Sequence, residues 1–247
     1  MKIQLLGNSD TSGAFFDGKT WAGHVRDGMS VTLSREVKWR EVGFSALGPT
    51  APAFAEKKVR EWDPDIVILP VGTFPFSVTF VWKRVEQLFG KRAGRWYRNM
   101  ENRFDNSTRA RGSLPNRANS AGRSLVRRLV GTAPLATVEE TAAAYGRTAR
   151  ALARIEDTQV ILLAYGMRGQ HNFAPGGPER RARFMALMAD VARDHHLRLI
   201  DGQEAFTGIP REVPTTTPDG FHNNAYGHEL LGAYILAQLL RTTAAPA

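Results

Sequence analysis

Three side chains near the two ends of this 247-residue chain could together carry out acyl transfer: Ser9, Asp219 and His222. A serine hydroxyl is a weak nucleophile until a neutral imidazole removes its proton. The imidazole in turn needs a partner that fixes its tautomer and stabilises the imidazolium, and Asp219, three residues before His222, has the right chemistry and spacing for that task. Each residue also has an ordinary reading on its own. Ser9 follows Gly7-Asn8 and would suit a turn or a helix N-cap. His228 reads as a helix-start histidine, His195 and His196 as solvated residues at a helix end, and His24 and His171 as too isolated to ligate a metal. The chain has no cysteine, which excludes disulfides, a thiol nucleophile and Cys-ligated zinc, and fits a reducing cytoplasm. No metal and no organic cofactor is expected.

The elements that would position these residues follow from the hydrophobic pattern. Short apolar runs bounded by Gly, Pro or Asp predict strands over about 3–6, 35–42, 65–72, 160–166 and 197–201. Helical periodicity predicts helices over about 20–27, 54–62 and 137–155, another from 178, and a closing helix over 230–240. Thr137-x-x-Glu140 has the form of a capping box at the start of the third of these. Strands that alternate with helices imply right-handed crossovers and a parallel sheet covered on both faces. The expected fold is α/β: a flavodoxin-like three-layer sandwich with a five-stranded parallel sheet. Ligands in such folds bind beyond the carboxyl ends of the strands. Ser9 follows the first strand, and His222 precedes the last helix.

The blocks Gly7-Asn8-Ser9 and Asp219-Gly220-Phe221-His222 resemble those of the SGNH, or GDSL-like, hydrolase family. The resemblance covers roughly residues 1–75 and 135–242, with Asn8 where the family has Asp. It implies a serine hydrolase that cleaves an ester or thioester through an acyl-enzyme on Ser9, with His222 as base and Asp219 as its orienter. It further implies an oxyanion hole built from the backbone N–H groups of Ser9 and Gly48, the latter in Ala46-Leu47-Gly48-Pro49. The family's Gly-x-Asn block falls on Gly72-Thr73-Phe74, where Phe74 replaces the donating Asn. Losing one oxyanion donor costs about 10²–10³ in rate. Two alternatives follow: an acyltransferase on the same scaffold, and a catalytically weakened protein that binds acyl groups or anions. Phe74 would then line an acyl pocket or anchor a lid. Arg168, after the fourth strand, is placed at the rim of the site, where it would meet an anionic substrate or face solvent.

The formal charge of +9 is concentrated in one segment. Residues 83–128 carry 13 Lys and Arg against three Asp and Glu, and the rest of the chain is nearly balanced. This segment lies in an insertion at about 77–134 within a single domain spanning 1–247. The insertion is read as a basic lid: first an amphipathic helix with Phe80, Trp82 and Phe89, then a polar, mobile loop over 103–123. Expected partners are a small-molecule or lipid-like ester and, through the insertion, an anionic carrier or membrane surface, with nucleic acid the least favoured. The apolar run before Gly7 is too short for a signal sequence, so a cytoplasmic location is expected. No stretch is apolar enough to predict a membrane-spanning helix.

Overall fold

A computed structural model describes residues 1–7, 11, 16–107, 127–165, 176–210, 213–215 and 222–243. They form two compact units. The first comprises Met1–Phe74, Val138–His171 and Pro178–Ala247, and the second Pro75–Thr137 with Asn172–Gly177.

The first unit is built on five parallel strands: β1 (Lys2–Gly7), β2 (Lys38–Gly43), β3 (Ile66–Gly72), and two more from the second half of the chain. The expected α/β fold with a five-stranded parallel sheet is what the chain adopts. The order across the sheet is β2-β1-β3-β6-β7, where β6 is Gln159–Tyr165 and β7 is Arg198–Asp201; β4 and β5 belong to the second unit. The reversal of chain order around β1 and β3 is the topological switch at which such sheets bind ligands. Burial follows position. All seven residues of central β3 are buried, which suits its unbroken apolar run, whereas no residue of edge strand β2 is buried.

Helices α1 (Trp21–Thr32), α2 (Ala51–Trp62), α6 (Val138–Leu152), α7 (Gly177–Asp194) and α8 (Ala225–Thr243) flank the sheet. Short α3 (Phe74–Ser77) follows β3. On one face, Trp21, Val25 and Met29 of α1 and Leu231, Ile235 and Leu239 of α8 pack over Ile3, Leu5, Ile66, Ile68, Ile161 and Leu163. Three helices run longer than their apolar patterns indicate, α2 among them, which starts at Ala51 rather than residue 54 with Pro52 in its first turn. Helix α1 continues to Thr32 rather than stopping near residue 27, because Gly28 lies against the Leu236 side chain of α8 and is a packing position, not a stop. Helix α8 starts at Ala225 rather than residue 230. Asn224 caps it, accepting from the Gly227 N–H at 2.9 Å, while Tyr226 points outward and hides the periodicity.

In the second unit, Thr79–Phe80 (β4) and Ala133–Pro134 (β5) pair antiparallel, with Phe80 opposite Ala133. Between them, α4 (Val81–Phe89) and α5 (Lys91–Ser107) form a helical hairpin that turns at Gly90 with φ +87°. Residues 103–107, expected to start a loop, continue α5; 108–126 lie outside the described residues. No helix among the described residues is long and apolar enough to cross a membrane.

Candidate functional site

Four adjacent strands of the first unit end at one edge of the sheet: β2 at Gly43, β1 at Gly7, β3 at Gly72 and β6 at Tyr165. Buried Thr11 sits so close to Gly7 that a Cβ there would meet its Oγ1 at 2.1 Å, so only glycine fits. The Gly7 carbonyl accepts from the Phe44 N–H at 2.8 Å, which carries the β1–β2 pairing one step past Gly43. The Gly48 carbonyl accepts from Ala51 at 3.2 Å at the start of α2, and a Cβ built on Gly48 meets nothing within 4 Å. Among the described residues, no acceptor takes the Gly48 N–H.

At the end of β3, the Gly72 N–H donates to the Tyr145 hydroxyl of α6 at 3.1 Å. That backbone donor is therefore committed to the fold, and burial raises the Tyr145 phenol above its ordinary pKa. Thr73 is buried, whereas Phe74 is 38% exposed. Phe74 is thus not a core residue, and its ring offers no donor where the SGNH pattern has an amide.

The third part of the site is the start of α8. His222 and Asn223 are buried just before it. Asn224 fixes the turn from both sides: its N–H donates to Pro214 at 2.9 Å, its side-chain amide donates to Val213 at 2.8 Å, and its Oδ1 caps the helix. His228, one turn on, is 1% exposed, and its Nδ1 accepts from the Trp21 N–H at the start of α1 at 3.2 Å. Phe16 covers the ring at a centroid distance of 4.8 Å. Burial, with smaller contributions from the His24 and His222 imidazoles, pulls the His228 pKa down to about 4. His228 is therefore neutral at pH 7, and its role is to clamp the start of α8 onto α1. Trp21 also meets Tyr165 edge-on at 6.2 Å, which links this clamp to the end of β6.

Three of the expected site residues thus follow strand ends or precede α8: Gly48 stands in the loop after β2, Phe74 is the first residue of α3 after β3, and His222 lies just before α8. Ser9, Asp219 and Arg168 lie outside the described residues. Two features escaped the sequence reading. His228 reads from sequence only as a helix-start histidine, and Tyr145 carries no local mark of its bond to Gly72; the signal for His228 is a histidine six positions after His222 within an apolar helix. Asp201, at the end of β7, caps the 3₁₀ turn that follows by accepting from Gln203 at 2.9 Å and pairs with Arg181. No cluster of groups suited to holding a metal ion occurs among the described residues.

Solved structures share this architecture over nearly the whole chain. An acetyl-xylooligosaccharide esterase, Axe2, from Geobacillus stearothermophilus superposes with a TM-score of 0.59 at 14% identity, covering 96% of this chain and 93% of that one. A lipase/acylhydrolase from Enterococcus faecalis gives 0.55 at 19% identity, covering 98% and 96%. The esterase EstA from Pseudoalteromonas sp. gives 0.55 at 12% identity, covering 98% of each chain. This chain has their fold. At these identities the likeness is one of architecture. No family model and no curated protein sequence matches the chain.

Proposed function

We propose that the chain is an SGNH-type serine hydrolase that cleaves an ester or thioester. The observation that carries this reading is placement. Gly7, two residues before Ser9 in the sequence, ends β1, and buried His222 directly precedes α8, on a fold shared with esterases. Ser9 Oγ attacks the acyl carbon as His222 takes its proton, with Asp219 orienting the ring. The oxyanion is met by the backbone N–H groups of Ser9 and Gly48; the Gly72 N–H is already bonded to Tyr145 and does not contribute. Collapse of the tetrahedral intermediate expels the alcohol or thiol, with His222 returning the proton. Water, deprotonated by His222, then releases the acid. Phe74 and Arg168 rim the acyl and leaving-group sides.

The exposed phenyl at position 74 supports a second reading, an acyl-binding protein whose catalysis is weakened by a missing donor. A phosphonate ester that reacts with activated serines separates the two. Stoichiometric labelling of the native protein, lost in Ser9→Ala, together with ester turnover lost in the same variant, is the expected result. Absence of labelling in a protein that still binds acyl ligands supports the second reading. Wild-type turnover in Ser9→Ala removes Ser9 as the nucleophile.

A further inference from the structure

The helical hairpin of the second unit carries apolar side chains that its own packing does not use. Its two helices approach closely because residue 94 is glycine: a Cβ there would meet the Glu86 Cα at 2.9 Å and the Trp82 carbonyl at 3.1 Å. Val85 and Tyr97 are buried. Trp82 is taken up by Phe80, with ring centroids 5.7 Å apart, and by the Arg98 guanidinium at 5.0 Å from its ring. With these contacts made, Leu88 remains 49% exposed, Phe89 68% and Trp96 67%. Leu88 and Phe89 immediately precede the Gly90 turn. Trp96 is exposed on α5 although its neighbour Tyr97, about 100° round the helix, is buried, and it lies one turn after Arg92.

The charge around these three residues has one sign. Lys91, Arg92 and Arg95 are all exposed, and no acidic residue occurs between Gln87 and Met100. The nearest carboxylate before the turn, Glu86, is paired with Lys83 at 2.8 Å. An aliphatic side chain, two aromatic ones and three cations, all exposed within residues 88–96, match the layered chemistry of an anionic bilayer surface. The apolar groups enter the acyl boundary, the indole lies at the headgroup level and the cations meet lipid phosphates.

We propose that the α4–α5 turn is a peripheral docking surface for an anionic phospholipid bilayer, made by Leu88, Phe89 and Trp96 with Lys91, Arg92 and Arg95. Charge complementarity selects the lipid, and the apolar side chains select a bilayer over a nucleic acid. Leu88 has no stacking role on a base, and three cations are few for a polyanion groove. The proposal is independent of ester hydrolysis and stands or falls by itself.

The test is cosedimentation of the purified full-length protein with large vesicles, either of phosphatidylcholine alone or of phosphatidylcholine and phosphatidylglycerol in a two-to-one ratio. Binding to the anionic vesicles, weak on the neutral ones and reduced by salt, is expected. Removing one cation, as in Arg92→Gln or Arg95→Gln, should weaken partitioning about fivefold. Leu88→Ser with Phe89→Ser should weaken it by at least ~10-fold with the thermal melt unchanged, because both side chains are exposed. Should that double variant melt abnormally, brominated lipid provides an independent measurement: it should quench indole emission in the native protein and lose that quenching in Trp96→Phe. Absence of binding at low salt overturns the proposal. So does full binding by a well-folded Leu88→Ser/Phe89→Ser protein, or displacement of the vesicles by a single-stranded oligonucleotide that binds more tightly.

Discussion

His228 shows how one buried ring can hold the start of one helix against another. It accepts from the Trp21 N–H, so its Nδ1 must be unprotonated, and burial keeps it so down to about pH 4. Its folded pKa lies below the unfolded value of 6.5, so the unfolded chain binds the extra proton first. The stability it contributes is complete above pH 6.5 and is lost as pH falls from there through about 4, about 3 kcal/mol in all at ~1.4 per unit. His228→Asn retains an acceptor near Nδ1 but does not titrate. Unfolding free energies measured by denaturant from pH 7 to 4 should therefore fall less steeply in His228→Asn than in the native protein. An identical slope would mean that His228 is not the group responsible. Phe74 is the corresponding test of the chemistry. Its ring is partly exposed, so replacement by Asn leaves no large cavity, and the added amide reaches a developing oxyanion only if the start of α3 faces it. Turnover of a short-chain ester is expected to rise, by up to about 10²-fold, with KM little changed. Unchanged turnover in a stable Phe74→Asn protein would show that the native site already has its donors.

At the scale of elements, the packing of α1 on α8 rests on two glycines with different neighbours. A Cβ at Gly232 would lie 2.5 Å from the His24 Cβ and 3.1 Å from the Trp21 carbonyl, so backbone would have to move. A Cβ at Gly28 would meet the end of the Leu236 side chain at 2.3 Å, and that group can rotate away. Alanine gains about 1 kcal/mol of helix propensity at either position. Gly28→Ala should therefore be near neutral, whereas Gly232→Ala should lose about 1–3 kcal/mol from strain at the helix crossing. Thermal melts of the two variants side by side check this, and equal midpoints would contradict it. The same residues explain what could be read from sequence. The five strands were legible because their apolar runs are bounded by glycine or proline, and so was the edge of the sheet that Gly48 and Phe74 follow. Helix ends were not. Gly28 resembles a stop signal until Leu236 is known to lie against it, and the Asn224 cap acts through Val213 and Pro214, which no local pattern connects to it. The His228–Trp21 and Tyr145–Gly72 bonds span 207 and 73 residues, and pairings so distant leave no periodic trace.

At the scale of the molecule, the excursion that carries the positive charge leaves and returns at one place. Ala136 donates to the Pro75 carbonyl at 3.0 Å, and Thr79 and Phe80 pair with Pro134 and Ala133. The five-stranded sheet and helices α1, α2, α6, α7 and α8 lie in the first unit apart from Gly177, the first residue of α7, so the principal core does not depend on α4 or α5. Phe80 and Ala133 face each other across an antiparallel pair, the geometry that a two-residue Asn-Gly turn closes. Replacing residues 81–132 by Asn-Gly should therefore give a chain that folds with the full sheet. Its entropic cost of closure should be smaller than that of the native connection, because a loop's closure entropy grows with its length. The expected result is a single cooperative thermal transition and a far-UV spectrum with the strand contribution retained. The shortened chain should also have lost nearly all adsorption to anionic vesicles, since every residue of the lipid-facing turn has been removed. A broad, non-cooperative melt would mean that the first unit needs the hairpin to fold. Undiminished vesicle binding by a folded shortened chain would place the membrane contact on the first unit.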